Sequence, residues 1–521
     1  MDLTGYEPPI VTIGTNYLYE LPTQNVTPTQ SRFFLTTRSI HATHVWEAIE
    51  VESRERPERL ANAKPAILKD VLINSSRLTE GDIQAQLFND IREFAANSDW
   101  RKHALLSKFE EVAKDRLAAL FDGDKFEDLF LRVALEHRYP ETKCSKTDET
   151  KLKARVVTVF EEVCTALHHL PTLGEAIDVI TQCTVALQLM MLAGWVHHDI
   201  SAGNILAFRE REPMPWKVKL ADLEYAQKCV FKVKDVHSKI GTAYFIPFDI
   251  QDQKRLVWYK FRGDILVYDF QHDIESIWWL WLWLITMRIS GNDASHGVYR
   301  AVFKNVAYIG DENRAGAWVG WLKPEAYVCQ DLKDMAVVVD ELRAKLLKLS
   351  STYEGTSIEA NYERYSDAHM AVRQALDIVD ATKHIWGPLR LVEREKADVV
   401  ADRKNDGPLD VMGDSDRPSR TSSSSERSAD KPRPSNPAAI QANLVEPQML
   451  DNTNRASQRS RTKRNAPEEP IDDIPVARMT RSRTKGTNEG MQARATNTTK
   501  STRKSARKTP VDNSNKRIRL G

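Results

Sequence analysis

Two carboxylates and one amide in the middle of the chain have the types and spacing for metal-assisted phosphoryl transfer. The segment 197–204 reads HHDISAGN, so Asp199 precedes Asn204 by five residues, and Asp222 follows 18 residues later. Carboxylate and amide oxygens are ligands for Mg²⁺, and a further carboxylate can accept the proton of an attacking hydroxyl. The sequence therefore predicts a phosphoryl-transfer site in which these three side chains supply a base and metal ligands.

One long helix and two short strands are predicted to position these side chains. Residues 173–193 form an apolar helical stretch that Gly194 ends in the C-cap position. Runs at 205–208 and 217–221 predict strands, and the second of them leads into Asp222. Taken singly, segment 197–204 also fits a polar turn between a helix and a strand, and Asp222 fits a turn former. The joint spacing favours the metal site.

The N-terminal third has the pattern of a β-rich region followed by a helix. Three strand-like runs read RFFLTT, HVWEAIEV and PAILKDVLI, and the third carries Lys69. Residues 79–94 have helical apolar spacing, which places Glu80 at the start of a helix and Glu93 near its end. A further helical region is predicted over 102–137, as part of an insertion that continues through the polar residues 138–154. A strand then ends in FEEV at 160–163.

Five landmarks occur in the order and spacing of a protein kinase, which the chain resembles over about residues 32–390. They are the strand of Lys69, the loop 197–204, Asp222, the segment GTAYFIP at 241–247 and the helix start HDIES at 272–276. The wording DISAGNIL, the KDV that includes the strand lysine, and the helix start HDIES are similar to the fungal-type protein kinase family. The resemblance implies an α+β, bilobal protein-kinase-like fold with a small β-rich N-lobe and a larger, mainly helical C-lobe. It also implies ATP and Mg²⁺ as cofactors and a protein Ser/Thr hydroxyl as the acceptor.

The same resemblance implies the role of each site residue: Asp199 would be the base, and Asn204 and Asp222 would hold the metal. Lys69 would grip the α- and β-phosphates with Glu80 as its ion-pair partner, Glu93 being the weaker candidate. The backbone of Glu161 and Val163 would bind the adenine as the hinge. Four residues would organise the catalytic loop and the activation segment: His197, Thr242, Asp249 and Asp273.

Several departures from the kinase pattern leave alternatives open. Residues 39–46 contain no glycine where a glycine-rich loop would cover the phosphates. His198 replaces the arginine of the catalytic loop, and Ser201 replaces its lysine. After Asp222, Leu223 and Glu224 replace the usual Phe and Gly. We therefore carry three hypotheses: an active protein kinase, a pseudokinase that acts as a binding scaffold, and a small-molecule kinase of the aminoglycoside or choline type.

Composition divides the chain into a domain-forming part and a basic tail. The 521 residues carry a net charge of +1, but residues 401–521 hold 25 Lys/Arg against 15 Asp/Glu. That tail lacks hydrophobic periodicity and is rich in Ser, Arg and Lys, which predicts disorder. The predicted organisation is an irregular leader at 1–31, an N-lobe with a helical insertion at 32–163, a C-lobe at 164–395 and a disordered tail at 400–521.

Partners and location are predicted from the tail, the cysteines and the chain start. The basic clusters at 459–464 and 516–519 are of the nuclear-import type, with weak non-specific nucleic-acid binding as the alternative. Five scattered cysteines without a CxxC pair favour a reducing compartment. The start lacks an apolar secretory segment, and the apolar run 277–287 is too short for a bilayer. We expect a nuclear or cytoplasmic protein that is neither secreted nor membrane-bound and whose partners are a protein substrate and an import receptor.

Overall fold

The structure of the protein is a computed structural model. The structure describes residues 10–23, 31–41, 44–143, 152–229, 242–252, 268–292, 295–298, 302–303, 312–320, 322–354 and 357–392. The predictions made for the tail at 400–521 lie outside the described residues. The described part is a mixed α+β structure, with a β-rich N-terminal region followed by a mainly helical region.

An eight-stranded antiparallel sheet forms the N-terminal region, and strands β3, β4 and β5 confirm the three strand-like runs of the sequence. Its order is β1-β2-β3-β4-β5-β8-β6, with β7 also pairing β8. The strands are β1 Ile10–Ile13, β2 Asn16–Pro22, β3 Ser31–His41, β4 Val45–Val51, β5 Pro65–Asn74, β6 Val133–Arg138, β7 Thr142–Lys143 and β8 Leu152–Phe160.

The predicted irregular leader is wrong for residues 10–22, which form the hairpin β1–β2 at one edge of this sheet. Tyr19 and Leu21 are buried in the apolar core of the sheet, and Leu18, between strand positions that face that core, is buried as well. Tyr19 donates its hydroxyl hydrogen to Asp70 Oδ2 at 2.9 Å, on the central strand β5. Burial of three side chains and one long-range hydrogen bond offset the ordering cost of a segment whose local composition predicts no strand.

Helix α1, Glu80–Ala96, matches the predicted helix and begins at a complete capping box. Thr79 Oγ1 accepts the N–H of Asp82, while the Asp82 carboxylate accepts the N–H of Thr79. The helical prediction for 102–137 is wrong at its end, because Val133–Arg138 is strand β6 and pairs with β8. Helix α2, Glu111–Phe121, and short 3₁₀ turns lie between α1 and β6. Pairing with β8 outweighs the weak local helical pattern of 133–138.

The helical region is built around two buried helices. Every residue of α5, including its four tryptophans, is buried, and α3 is buried over most of its length. By length and composition α3 could cross a membrane, but 72% of its most apolar window is buried inside the fold, as in a core helix. The helices are α3 Leu173–Leu192, α4 Phe248–Asp252, α5 Phe270–Met287, α6 Ser295–Val298, α7 Glu312–Val319, α8 Lys333–Ser350, α9 Tyr362–Asp380 and α10 Lys383–Trp386.

Two small sheets lie next to α3 and carry the polar loop that the sequence singled out. The first has the order β12-β11-β9, and the second pairs β10 with β13. Gly194, at a φ of +77°, ends α3 in a left-handed conformation that suits glycine. The chain then forms β10, the loop 197–204 and β11 in immediate succession. The strands are β9 Thr165–Ala166, β10 Trp195–Val196, β11 Ile205–Phe208, β12 Lys217–Leu220 and β13 Gln227–Lys228.

Candidate active site

Lys69 brings the large sheet and the helical region together. It lies in the middle of β5, where Val45 of β4 and Thr158 of β8 are its cross-strand neighbours. Its Nζ lies 3.0 Å from Glu80 Oε2, 2.6 Å from Asp222 Oδ1 and 3.2 Å from Glu224 Oε2. Burial opposes the charge of Lys69, but the three carboxylates hold its pKa well above the usual value. A single ammonium group thus joins residues that are 153 positions apart.

Glu80 is the partner of Lys69, as the sequence predicted, and Glu93 is not. Glu80 occupies the first turn of α1, where the helix dipole favours a carboxylate. Its second oxygen accepts the backbone N–H of Leu223 at 3.1 Å, which fixes the chain after Asp222. Burial raises the pKa of Glu80, and the charge of Lys69 acts in the opposite direction. Glu93 instead accepts a hydrogen bond from Asn89 on the exposed face of α1.

Asp199 is held by three hydrogen bonds to its carboxylate. Oδ1 accepts the backbone N–H of Thr242 at 2.8 Å and its hydroxyl hydrogen at 2.9 Å. Oδ2 accepts the Asn204 side-chain amide at 3.0 Å, and the same amide donates to the backbone carbonyl of Asp199 at 2.8 Å. Both amide hydrogens of Asn204 therefore face Asp199, which leaves the Asn204 side-chain oxygen as the atom able to coordinate a cation.

Asp273, on the first turn of α5, fixes the start of the loop 197–204 through hydrogen bonds to its backbone. Its carboxylate accepts the N–H of His197 at 2.7 Å, the N–H of His198 at 3.1 Å and the Tyr268 hydroxyl at 2.8 Å. Burial raises the pKa of Asp273 despite these hydrogen bonds. His198 has a φ of +72°, so two backbone amides can point at one carboxylate.

His197 links the loop to the strand that carries Asp222. Its Nδ1 accepts the N–H of Asp199 at 3.3 Å, and its Nε2 donates to the Ala221 carbonyl at 3.1 Å. This pattern assigns the ring hydrogen to Nε2. Ala221 in turn donates its N–H to the Asn204 carbonyl at 3.0 Å. Short backbone contacts thus place the two proposed metal ligands, Asn204 and Asp222, in neighbouring positions.

Ser201, which stands where kinases carry a lysine, closes the turn inside the loop. Its side chain is buried, and its Oγ accepts the N–H of Gly203 at 3.3 Å and that of Asn204 at 3.2 Å. The residue is therefore a local turn former rather than a group facing the site. The sequence analysis noted only the missing cation, because the pattern does not indicate where the hydroxyl points.

An apolar patch adjoins the polar site where the large sheet meets the helical region. Phe160 and Ala221 are buried in it, and Ile67, Cys164 and Leu206 pack against them. Burial raises the pKa of Cys164 to about 12. The predicted hinge residues Glu161 and Val163 are exposed on the connection between β8 and β9.

A buried ion pair that the sequence analysis missed supports that connection. Lys219 of β12 is 2% exposed, and its Nζ lies 2.7 Å from Glu162 Oε1. Glu162 belongs to the FEEV segment, so the pair ties β12 to the chain that leaves the large sheet. Alternation along β12, which reads KVKL, gave no signal for this pair, because it groups Lys219 with the exposed Lys217 on one polar face.

The segment 242–252 packs on α5. Its own Asp249 and Glu275 of α5 are both buried there. Glu275 Oε1 accepts the N–H of Phe248 at 2.6 Å and the Trp279 indole N–H at 3.0 Å. Burial, followed by the charge of Asp249, raises the pKa of Glu275 to about 7. Arg314 of α7 donates to the Ile246 carbonyl at 2.8 Å. The structure thus places the buried Asp249 near Glu275 of α5, while Thr242 contacts Asp199 directly.

The donor set around Asp222 fits a magnesium ion held together with phosphate groups. In the described residues there is no cluster of three or more His, Cys, Asp or Glu side chains able to hold a metal alone. Magnesium usually takes one or two carboxylates and completes its shell with water and substrate phosphates. Asp222, whose side chain is 30% exposed, and the Asn204 side-chain oxygen are the groups that would hold it.

The sequence-predicted residues fall into two groups in the structure. Lys69, Glu80 and Asp222 are in direct contact, and Asp199, Asn204 and Thr242 form a second hydrogen-bonded set joined to the first through Ala221. The sequence analysis missed that Glu224 contacts Lys69. The unusual acid after Asp222 was the available signal, but its partner depends on the packing of β5 against the helical region.

Comparison with known protein families agrees with a site for phosphoryl transfer. The family model described as fungal protein kinase matches residues 3–285, which is more than half of the chain. The chain therefore belongs to the fungal protein kinase family. The family suggests kinase-like activity. No curated protein matches the chain.

Proposed function

We propose that this protein is an active protein kinase that transfers the γ-phosphate of ATP to a Ser or Thr hydroxyl of a protein. The observation that carries the proposal is the contact of Lys69 with both Glu80 and Asp222, at 3.0 Å and 2.6 Å. This contact brings together a lysine suited to phosphate, its helix partner and a carboxylate suited to a metal. Kinases require these groups together for phosphoryl transfer.

The arrangement of the two regions supports a bilobal kinase fold. Lys69 and Glu80 come from the sheet region, whereas Asp199, Asn204 and Asp222 come from the helical region. The apolar patch with Phe160, Ala221 and Leu206 lies beside them and has the chemistry for an adenine ring. The exposed backbone at Glu161 and Val163 would supply the hydrogen bonds to its edge.

The mechanism assigns a separate task to each group. Asp199, oriented by Thr242 and Asn204, accepts the proton of the acceptor hydroxyl. Lys69, held by Glu80, neutralises phosphate oxygens, and Asn204 and Asp222 would hold Mg²⁺, which would supply charge neutralisation at the transferring phosphate. His197 and Asp273 hold the loop in this geometry through backbone hydrogen bonds.

A transfer assay with radiolabelled ATP, Mg²⁺ and a mixture of Ser/Thr-containing proteins tests the proposal. Asp199→Asn keeps the shape of the side chain but removes the base, so we expect a loss of about 10²-fold or more in transfer rate. Nucleotide binding of this variant, followed by calorimetry, should stay close to that of the native protein. Absence of nucleotide binding at millimolar ATP would overturn the proposal and favour the pseudokinase scaffold. Transfer to aminoglycosides or choline instead of proteins would favour a small-molecule kinase.

The basic tail is proposed as a nuclear-import signal. The support is sequence-based: the clusters at 459–464 and 516–519 lie in a segment rich in Ser, Arg and Lys. Deleting 455–521 from a fluorescent fusion is expected to shift the protein from nucleus to cytoplasm. Unchanged nuclear accumulation would remove the proposal and leave weak, salt-sensitive nucleic-acid binding as the alternative.

A further inference from the structure

The ammonium group of Lys69 is saturated by carboxylates. An ammonium group has three N–H donors, and Glu80, Asp222 and Glu224 lie at 3.0, 2.6 and 3.2 Å from Lys69 Nζ. The Lys69 side chain is 15% exposed, which leaves little room for a fourth acceptor. A phosphate oxygen can reach Lys69 only if one of the three carboxylates moves away.

Glu224 is the carboxylate that is easiest to displace. Glu80 is 7% exposed and is also fixed by the N–H of Leu223, and Asp222 makes the shortest of the three contacts. Glu224 makes the longest contact, and its side chain is more exposed than that of Glu80. Glu224 also acts on the adjacent Tyr225, because burial and the charge of Glu224 together raise the pKa of the Tyr225 hydroxyl. The Glu224 carboxylate therefore has a second polar group close to it besides Lys69.

We propose that Glu224 is a latch that occupies the phosphate position on Lys69 and opposes nucleotide binding until a divalent cation accompanies the nucleotide. The inference rests on the proposed function and deepens it. Three carboxylates around one ammonium leave an excess charge of −2, which repels the phosphate chain and which a divalent cation offsets. In a kinase with glycine at this position there is no such competition for the lysine.

The decisive measurement is ligand binding by calorimetry to the full chain and its variants. The ligands are ADP and inorganic tripolyphosphate, each in EDTA and in Mg²⁺. Glu224→Gln removes the charge and Glu224→Ala removes the side chain, so a folding defect specific to one of them is recognised by the other. We expect about tenfold tighter binding of both ligands in EDTA and a smaller gain in Mg²⁺.

Two matched variants serve as controls for the change in ligand affinity. Glu93→Gln removes one negative charge from the exposed face of α1, where Glu93 contacts Asn89, and should leave binding unchanged. Glu80→Gln removes the buried partner of Lys69 and should weaken binding. If Glu93→Gln tightens binding as much as Glu224→Gln, the effect is one of general charge, and the latch is overturned.

The remaining outcomes separate the latch from the proposed function. Equal affinity of native protein and Glu224 variants in both buffers overturns the latch and leaves nucleotide binding in place. Weaker binding of the Glu224 variants in Mg²⁺ alone overturns the latch and makes Glu224 a metal ligand. Tighter tripolyphosphate binding without ADP binding in any variant supports the latch and contradicts the kinase. No binding of either ligand to any variant overturns both proposals.

Discussion

Asp273 accepts the backbone N–H of His197 at 2.7 Å, across 76 positions of sequence and inside a fully packed core. The same carboxylate accepts the N–H of His198 and the Tyr268 hydroxyl. One buried acid therefore fixes the entry to the loop that carries Asp199 and Asn204. The position of the proposed base thus depends on α5, a helix that supplies no group to the reaction itself.

Replacing Asp273 with Asn is expected to cost about 3 kcal/mol in the free energy of unfolding. An amide has only one oxygen, so its NH₂ group would face one of the backbone N–H groups that now donate to the carboxylate. That buried N–H group would then have no acceptor. Urea unfolding followed by tryptophan fluorescence measures the change. Asp377→Asn, at an exposed ion pair with Arg373, is the control and should stay within about 0.5 kcal/mol of the native protein.

The N-terminal hairpin should depend on Asp70. Its carboxylate is 4% exposed and is paired with Arg155, and it also accepts the hydroxyl of Tyr19. Asp70→Ala leaves the partly buried guanidinium of Arg155 without its carboxylate partner and should lower the free energy of unfolding by about 3–5 kcal/mol. Tyr19→Phe should lower it by about 1 kcal/mol.

Limited proteolysis of β1–β2 together with urea unfolding checks both values. Glu50→Gln, in the more exposed pair with Arg32, is the comparison and should cost less than about 1 kcal/mol. Equal losses for Asp70→Ala and Glu50→Gln would contradict the anchoring role of Asp70.

Glu275 should make stability fall as pH rises from about 4.5 to about 7. Burial and the neighbouring Asp249 raise its pKa in the folded protein to about 7 from 4.5. Between these values the folded state binds more protons than the unfolded state, so raising the pH favours unfolding, by on the order of 3 kcal/mol in total. Above pH 7 this contribution becomes constant.

Glu275→Gln isolates that contribution, because the amide oxygen can still accept from Phe248 and Trp279. Urea unfolding at pH 5, 6, 7 and 8 should show that the variant gains stability over the native protein as the pH rises. A difference that does not vary with pH would mean that Glu275 is ionised in the folded protein throughout this range.

Introducing the kinase lysine at Ser201 is expected to impair the site rather than improve it. The buried Ser201 hydroxyl accepts the N–H groups of Gly203 and Asn204, and a lysine cannot replace those bonds. Ser201→Ala should cost about 1 kcal/mol and weaken Mg²⁺-dependent ADP binding, and Ser201→Lys should weaken it further. Calorimetry in Mg²⁺ measures both.

A serine in the same kind of turn, but far from the site, controls for the loss of a local hydrogen bond. Ser357 Oγ accepts the N–H of Ala360 at 3.2 Å. Ser357→Ala should therefore lower stability slightly without changing ADP binding. Tighter ADP binding by Ser201→Lys than by the native protein would contradict the structural role of Ser201.

Local pattern was sufficient for the elements whose residues interact with their sequence neighbours. The helix of Glu80 was predictable because Thr79 and Asp82 cap it and its apolar side chains recur at helical spacing. The strand of Lys69 was predictable from its β-branched content. Segments stabilised by distant partners were not: β2 depends on Asp70, and β6 depends on β8.

The sequence by itself determined which side chains have the types and the spacing along short segments that the proposed chemistry needs: Asp199, Asn204, Asp222 and Lys69. Tertiary structure alone decided which of them meet, and with whom. Glu224 contacts Lys69 and Thr242 contacts Asp199 only because the sheet, α5 and the loop 197–204 pack together. Side-chain spacing reports only neighbours within a helical turn or along a strand, whereas contacts across 153 positions depend on how whole elements pack.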